Sequence, residues 1–448
     1  MASSYLSQTV DATSTNKNKI TVSVWLKRCK TGVENTVIGG TMTSNNRWKI
    51  RFRSDDKLDG EFGFGGSWYS LITNRTFTDT SGWYHLVYQW DSTQGTASNR
   101  VKIWINGVQE TSFSTASYPP QNYGNYIVEN TAKASVGTFY DGSGYHSSHR
   151  FDGYLAHVAV VDGTIYAPTS FGQTDSTSGI WKFKDPSSIT WGNNGFHLKF
   201  ENSGALGTDS SGQSNNFTVN GDVKQSLDTP SNVHSVWNVR NPTLPPTIRY
   251  GNTEIYTNAN SWKSAFTTLG ASSGKWYMEM KWGGGSHLTP GFATMDVPGH
   301  NPTYADIINN PSNGGYAISL YTNGIIYENG SNEGAYGSGT SFSVNDIIML
   351  AMDLDNNKLY WGKNGTWFNS ANPAGNTGGY SINASYTSST FGFAISVYNT
   401  TAQCNFGDGF FGTTAIGSAG SNGNGSLFEY DVPSGFYALN TNNINTYG

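Results

Sequence analysis

The sequence predicts an all-β protein with two antiparallel β-sandwich domains in tandem. Gly (54), Tyr (26) and Phe (23) are abundant while charged residues make up only 13% of the chain, which is typical of turn-rich β proteins. Apolar and polar residues alternate over short runs, the period of a half-buried strand. With 448 residues the chain exceeds the size of one ordinary core, so we expect two domains.

The clearest strand of the first half is ITVSVWLK, residues 20–27. Ile20, Val22, Val24 and Leu26 share one face, and the polar residues share the other with Trp25. This alternation predicts a half-buried antiparallel strand. Turn signals separate it from further predicted strands at 48–53, 60–64, 68–72, 83–90, 101–105, 134–139 and 154–161.

Five segments of the first half resemble, in order, the strands of laminin G-like, concanavalin A-like jelly-roll domains. They are TVSVWLKR, SGWYHLVYQWD, VKIWINGVQ, SVGTF and FDGYLAHVAVVDG, within residues 3–175. The resemblance implies a first domain over residues 1–190.

A connector is expected over residues 191–247. Its first part, GNNGFHLKFENSGALGTDSSGQSNNFTVNG, resembles connectors that follow such jelly rolls in virion proteins of marine bacteriophages. Pro230, Pro242, Pro245 and Pro246 then predict a semi-rigid, largely extended linker, because each proline fixes its own φ and restricts the preceding residue.

The second domain, residues 248–448, is organised around the stretch 346–368. An apolar run from Ile347 to Leu354, the segment 358–361 and the pair Trp367-Phe368 predict three short strands. Asn364-Gly365 between the last two predicts a type I′ turn, which needs positive φ at both positions. GKWYMEM, IIMLAMDLDNNKLYWGKNG and CNFG resemble the SPRY domain, a bent sandwich, over residues 250–440. The Gly- and Ser-rich insertion at 413–426 departs from that pattern and leaves the pairing of the last strand open.

Charge and cysteine content exclude several classes. A net charge of -5 argues against a nucleic-acid binder, and Lys27, Arg28 and Lys30, like the trio Arg47, Arg51 and Arg53, are predicted to lie on solvated strand faces. Two cysteines in opposite halves argue against a disulfide framework. MASSYLSQTV has no charged n-region and no run reaches membrane-spanning length, so we expect synthesis in a host cytoplasm without a secretion signal or membrane insertion.

No catalytic set is predicted, and no cofactor. Jelly-roll glycoside hydrolases align carboxylates as Glu-x-Asp-x-(x)-Glu on one strand, whereas here only Glu429 has an Asp two residues on, Asp431, with no third carboxylate. His146 and His149 are the one local pair that could share a metal ion, and the alternative is an exposed polar loop. Asp353 and Asp355 could suggest calcium, but turn formation explains them better.

Tyrosines in Gly-, Ser- and Asn-rich sequence are the predicted ligand-binding residues, because a tyrosine offers an apolar ring and a hydroxyl at low entropic cost. The alternative is that their rings cap the ends of the sandwich. In the second domain the resemblance to SPRY proteins adds three residues by loop position. The full set is Tyr118, Tyr123, Tyr126, Tyr140, Tyr145, Tyr304, Tyr336 and Trp367.

These observations favour a non-enzymatic structural and recognition protein of a phage particle: a head decoration, short fibre or spike. The expected partners are other capsid or tail proteins, copies of the same chain, and a host-surface glycan or receptor, with the first domain docking and the second projecting. The expected location is the virion. A free lectin or adhesin is the alternative, and a polysaccharide-degrading enzyme the third.

Overall fold

The computed structural model describes residues 4–238, 246–295 and 315–448. The chain divides into two compact units, Met1–Ser226 and Leu227–Gly448. Strands hold 46% of the residues and helices 5%, so the predicted all-β class is confirmed. Within the described residues no helix is long and apolar enough to cross a membrane.

The first unit contains, within its described part, strands β1 to β16 and short 3-10 helices at 97–99, 126–128 and 168–170. The strands are β1 (Tyr5–Thr9), β2 (Lys19–Arg28), β3 (Asn35–Thr43), β4 (Asn46–Phe52), β5 (Lys57–Phe64), β6 (Ser67–Thr76), β7 (Tyr84–Asp91), β8 (Val101–Ile105), β9 (Val108–Gln109), β10 (Phe113–Ala116), β11 (Lys133–Val136), β12 (Gly153–Asp162), β13 (Gly172–Thr174), β14 (Trp181–Phe183), β15 (Phe196–Leu198) and β16 (Thr218–Asn220).

Two antiparallel sheets build this unit. The front sheet has the order β10-β6-β5-β4-β3-β11-β1-β16, and the back sheet has the order β15-β12-β2-β7-β8-β9. β13 and β14 form a separate hairpin. Each strand predicted in this half is present, with ends that differ by a few residues.

The core of the first unit lies between the inner faces of the two sheets. Ile20, Val22, Val24 and Leu26 of β2 belong to it, as their alternation predicts. The prediction that β2 is only half-buried is wrong, because Trp25 on the opposite face is just 2% exposed. The hairpin β13–β14 covers that face through Phe183, whose ring centroid lies 6.5 Å from that of Trp25.

The segment predicted as a connector contributes strands to the first unit. β15 pairs with β12 in the back sheet, and β16 pairs with β1 in the front sheet. Phe196, Leu198 and Phe217 reach the core, so burial of apolar side chains overrides the flexible composition around them. Pro242 and Pro245 of the predicted linker lie outside the described residues.

The second unit contains, in the parts described, strands β17 to β31 and one α-helix. They are β17 (Thr247–Arg249), β18 (Glu254–Thr257), β19 (Lys263–Phe266), β20 (Lys275–Thr294), β21 (Ala317–Leu320), β22 (Ile325–Glu328), β23 (Ser331–Ala335), β24 (Ile347–Asp353), β25 (Lys358–Lys363), β26 (Thr366–Trp367), β27 (Tyr380–Ser381), β28 (Phe391–Asn405), β29 (Phe410–Phe411), β30 (Thr414–Ala415), β31 (Tyr437–Ala438) and α1 (Thr441–Tyr447).

Two long strands organise this unit. β20 pairs antiparallel with β28 from residue 279 to residue 294, and β24 pairs with the first half of β20. The ladder shifts register between Trp282 and Gly284, where Gly284 and Gly285 adopt φ of 126° and 111°. Only glycine adopts such angles freely, so the run GGG lets β20 continue through this bend as one long strand.

The stretch 346–368 forms β24, β25 and β26 as predicted. Asn364 and Gly365 have φ of 49° and 84°, which confirms the predicted type I′ turn. Trp361 is fully buried, and its Nε1 donates a hydrogen bond of 3.0 Å to the Pro290 carbonyl.

The last strand, whose pairing the sequence leaves open, is β31, and it runs parallel to β20. The chain leading into it, residues 427–438 (the cover segment), packs on the outer face of β20, β24 and β25. Phe428, Val432 and Phe436 of the cover segment bury Tyr277 and Tyr360 there.

Candidate ligand-binding face

A ladder of charged side chains lies on the outer face of the front sheet. Trp48, Ile50 and Phe52 of β4 point into the core, so the alternate residues Arg47, Lys49 and Arg51 point outward. On the neighbouring strand β5, Glu61 pairs with Lys49 and Asp59 pairs with Arg51 in the backbone register.

Ion pairs connect this charged ladder. The carboxylate oxygens of Glu61 lie 2.9 Å from a nitrogen of Arg51, 3.2 Å from that of Lys49 and 3.5 Å from one of Arg47. Arg51 also reaches Asp59 and Glu34, each at 3.0 Å. Three cations therefore face three anions, and the ladder has no net charge.

The ladder is largely shielded from solvent. The Lys49 side chain is 2% exposed and that of Asp59 is fully buried. Burial lowers the pKa of Lys49 and raises that of Asp59. Burial would also raise the pKa of Glu61, but Lys49, Arg51 and Arg47 lower it overall.

The prediction that both basic clusters are solvated is wrong for most of their members. Besides the ladder, Lys27 and Arg28 are fully buried, and Arg28 pairs with Asp56 at 3.0 Å. A lysine or arginine in an alternating strand can equally face an opposite charge on the next strand, which composition alone does not reveal.

An exposed tryptophan borders the ladder. Trp68 on β6 is 43% exposed, and its ring lies over Gly63, where an added Cβ would come within 2.4 Å of a ring carbon. The Arg47 guanidinium lies 4.5 Å from its ring centroid. Trp68 thus presents a partly exposed aromatic ring beside hydrogen-bonding groups.

The loop 139–150 forms the other border of the face. Phe139 is buried, and the Lys49 ammonium lies 4.1 Å from its ring centroid. His146 and His149 stack with centroids 4.1 Å apart, and His149 Nε2 lies 3.1 Å from Glu34. Burial and the neighbouring His146 lower the pKa of His149 to about 4. The two predicted metal-ligand candidates therefore contact each other, but no group of three His, Cys, Asp or Glu suited to a metal occurs in the described ranges.

Tyr140 and Tyr145 are predicted ligand-binding residues that lie on this loop. Their rings meet at 5.3 Å, and Tyr145 also packs against Tyr5 at 4.9 Å. Arg150 lies 4.0 Å from the Tyr5 ring. Both tyrosines keep partial exposure near the face.

The other predicted tyrosines of the first unit support the sandwich. Tyr126 is 9% exposed and stacks on Phe62, so its prediction as a ligand contact is corrected. Tyr118 and Tyr123 are partly buried against the core, where Tyr123 meets Phe64 at 4.1 Å. This placement matches the alternative that such rings cap the sandwich.

The second-unit predictions fall in different environments. Tyr304 lies outside the described residues. Tyr336 is 5% exposed and donates its hydroxyl to the Gly378 carbonyl, which corrects its prediction as an exposed contact. Trp367 is half-buried beside Tyr277 and Tyr360.

Sequence reasoning missed Trp68 and the carboxylates Asp59 and Glu61. The signal was available in part: Asp59-Gly60-Glu61 alternates on one predicted strand, opposite the alternating cations of the preceding strand. The exposure of Trp68 depends on the small residue across the sheet, Gly63, and is not visible in the local sequence.

Comparisons with known proteins agree with this architecture. Residues 2–169 match the laminin G type of the Concanavalin A-like lectin/glucanases superfamily. No curated protein matches the chain significantly.

Solved structures give distant likenesses. A heptameric SAP-like pentraxin from Limulus polyphemus is 18% identical over 38% of this chain and 74% of its own (TM-score 0.28). The SPRY domain of human HERC1 is 13% identical over 34% of this chain and 87% of its own (TM-score 0.25). Domains LG4-5 of the mouse laminin alpha1 chain are 8% identical over 90% of this chain and 85% of their own (TM-score 0.30). Likenesses at these TM-scores carry no argument about function.

Proposed function

We propose that the chain is a non-enzymatic recognition protein that binds a glycan on the outer face of the front sheet. The observation that carries the proposal is the half-exposed ring of Trp68, fixed flat over Gly63 and backed by Arg47. An aromatic ring next to fixed hydrogen-bonding groups suits the apolar face and the hydroxyls of a sugar. The lectin-type profile over residues 2–169 supports the same chemistry.

The charges of the face favour binding over hydrolysis. Asp59 and Glu61 alternate on β5, as the paired carboxylates of a glycosidase must, to reach one cleft. Glu61, however, is engaged by three cations and Asp59 by Arg51, so both act as counterions. Incubation with host polysaccharides is expected to release no reducing sugar; release abolished by Asp59→Asn would overturn the non-enzymatic assignment.

A glycan array tests the binding proposal. We expect the full chain to bind with micromolar strength and Trp68→Ala to weaken binding roughly tenfold, a change of about 1.4 kcal/mol. Tyr145→Ala, at the opposite border of the face, should also weaken binding. Val108→Ala is the matched control, because Val108 is 71% exposed on the back-sheet strand β9. Unchanged binding by Trp68→Ala would contradict the proposal.

We further propose that this recognition protein is a component of a phage particle, with other virion proteins and copies of itself as partners. Two β-sandwich units in one chain and the resemblance of residues 192–221 to virion-protein segments support it. Mass spectrometry of purified virions should find the chain at fixed copy number. Its absence there, combined with glycan binding by the isolated chain, would favour the free lectin or adhesin.

The first unit is proposed to dock on the particle and the second to project from it. The unit boundary at Ser226 provides the test: a chain of residues 1–226 should still join particles, and residues 227–448 should not. Incorporation of the second fragment alone would reverse the assignment.

A further inference from the structure

A cluster of five aromatic side chains lies at the surface of the second unit, and the proposed function uses none of them. We call it the aromatic patch: Trp262, His287, Tyr321, Tyr327 and Tyr398. His287 on β20 and Tyr398 on β28 are direct partners in the backbone register. All five residues are half-buried, so the cluster is partly open to solvent.

The rings of the patch already contact one another. Ring centroids lie 5.5 Å apart for Trp262 and Tyr398, 5.5 Å for His287 and Tyr321, and 6.1 Å for Tyr321 and Tyr327. These separations leave no space for a guest between the rings. A ligand would therefore lie across the patch, and the packed rings would not have to rearrange to receive it.

The polar atoms of the patch are free. Within the described parts of the chain, the three tyrosine hydroxyls, Trp262 Nε1 and the His287 ring nitrogens make no hydrogen bond to protein. Other tyrosine hydroxyls of the unit are used internally, since Tyr277 donates to Glu279, Tyr336 to Gly378, Tyr360 to Asn376 and Tyr380 to Glu328. The contrast indicates that the patch keeps its hydrogen-bonding groups for an external partner.

From these features we infer that the aromatic patch is a second binding site, for a neutral oligosaccharide. Tilted rings, at 60° between Trp262 and Tyr398 and 27° between His287 and Tyr321, give a stepped apolar surface for the C–H faces of successive sugar rings. The free hydroxyls and N–H groups at its margin can bind sugar hydroxyls. No Lys or Arg stacks on these rings in the described residues, so no such cation is held in place to favour an anionic sugar.

The test uses the full chain carrying Trp68→Ala, in which binding to the first-unit face is already weakened, so that a loss on the second unit can be measured against this parent. Titration calorimetry with neutral, N-acetylated and acidic oligosaccharides should show residual binding to a neutral one. Adding Trp262→Ala should lower that affinity at least tenfold. Tyr398→Phe keeps the ring and removes only the hydroxyl, so it should lower affinity several-fold while the unit stays folded.

Tyr250→Asn is the matched control. Tyr250 is 47% exposed in the same unit but outside the patch, and Asn tolerates its φ of 53°. Its affinity should equal that of the Trp68→Ala parent. The inference is overturned if the Trp68→Ala chain binds no saccharide, if it prefers acidic ones, or if neither patch variant changes binding. The role of Trp68 is tested separately, by the glycan-array comparison of the unmodified chain with Trp68→Ala.

Discussion

At the scale of single residues, one missing side chain creates the exposed platform of the first unit. Trp68 can lie flat on the sheet only because Gly63, its direct partner across β5 and β6, has no Cβ. Gly63 has no unusual backbone angle, so its role is steric. A glycine without a turn function is thus part of the proposed binding face.

We predict that Gly63→Ala weakens glycan binding about as much as Trp68→Ala, roughly tenfold. The new methyl group displaces the indole, and because Trp68 is already half-exposed the unfolding free energy should change by less than about 1 kcal/mol. Gly95→Ala is the control, since no atom lies within 4 Å of a Cβ there. Array binding together with urea unfolding measures both effects, and full binding by Gly63→Ala would refute the steric role.

A second residue prediction concerns the charged ladder. Glu61→Gln leaves the buried ammonium of Lys49 without its nearest counterion, so it should destabilise the first unit by roughly 3 kcal/mol. The double variant Lys49→Met/Glu61→Leu removes both charges and should cost less than Glu61→Gln alone. Urea unfolding of the unmodified chain, Glu61→Gln and the double variant measures these free energies. If the double variant is the least stable of the three, the ion pair is net stabilising and the prediction is wrong.

At the scale of elements, the hairpin β13–β14 is held to the back sheet by neutral histidines. Trp181 Nε1 donates to His85 Nδ1 at 2.9 Å, and Phe183 stacks on His157 at 3.7 Å. Burial lowers the pKa of His85 to about 3, and those of His157 and His197 to about 4. Protonated His85 could no longer accept the bond from Trp181.

Acid should therefore release this hairpin. The unfolded histidines have pKa values near 6.5, above the folded values, so the unfolded chain binds more protons and stability falls as pH drops from about 6.5 towards 4. Each histidine contributes up to about 1.4 kcal/mol per pH unit. Hydrogen-exchange protection factors, which correct for the slower intrinsic exchange in acid, should fall at residues 172–183 between pH 7 and pH 4.5, and His197→Asn should reduce the slope. A pH-independent hairpin would contradict this account.

The cover segment of the second unit depends on one carboxylate, Glu279. Its oxygens accept the backbone N–H groups of Glu429 and Tyr430, each at 2.8 Å, and the Tyr277 hydroxyl at 3.0 Å. Burial raises its pKa to about 7. The carboxylate thus links β20 to the start of the cover segment.

Glu279→Ala should loosen the cover segment. The change leaves the buried Tyr277 hydroxyl without its acceptor, which costs roughly 1–3 kcal/mol, and it removes the acceptor of two part-buried backbone N–H groups. We expect faster proteolysis within residues 427–438 and a lower melting temperature of the second unit. Glu333→Ala, on the exposed strand β23, is the control. Equal protease resistance of both variants would show that apolar packing alone holds the segment.

At the scale of the whole molecule, each unit has its own core and closes its own sheets. The first unit is complete only with β15 and β16, which lie beyond residue 190. Phe196, Leu198 and Phe217 from this region are buried in its core.

A fragment of residues 1–226 should therefore fold cooperatively, whereas residues 1–190 should not. The shorter fragment loses the three buried apolar side chains, each of which contributes about 1.5–3 kcal/mol, and exposes the edges of β1 and β12. Circular dichroism melting of the two fragments measures the difference. Equal melting temperatures would restore the boundary expected from composition.

Much of the fold follows from the sequence, but the proposed binding face does not. Alternation located β2, β4 and β8, and Asn364-Gly365 located its turn, because period and turn chemistry are local properties. The charged ladder and the platform of Trp68 depend on which residues become neighbours across strands. The same limit explains Tyr126, whose polar surroundings in sequence hide a partner in the core, Phe62.

The position of β1 has a consequence for synthesis. This strand lies between β11 and β16, and its residue Tyr5 pairs with Asn220. A ribosome must add more than two hundred residues after β1 before this partner exists. Pairings so distant in sequence close slowly, and the nascent first unit meanwhile presents an open strand edge. We therefore expect chaperones to bind the nascent chain until residue 220 has left the ribosome.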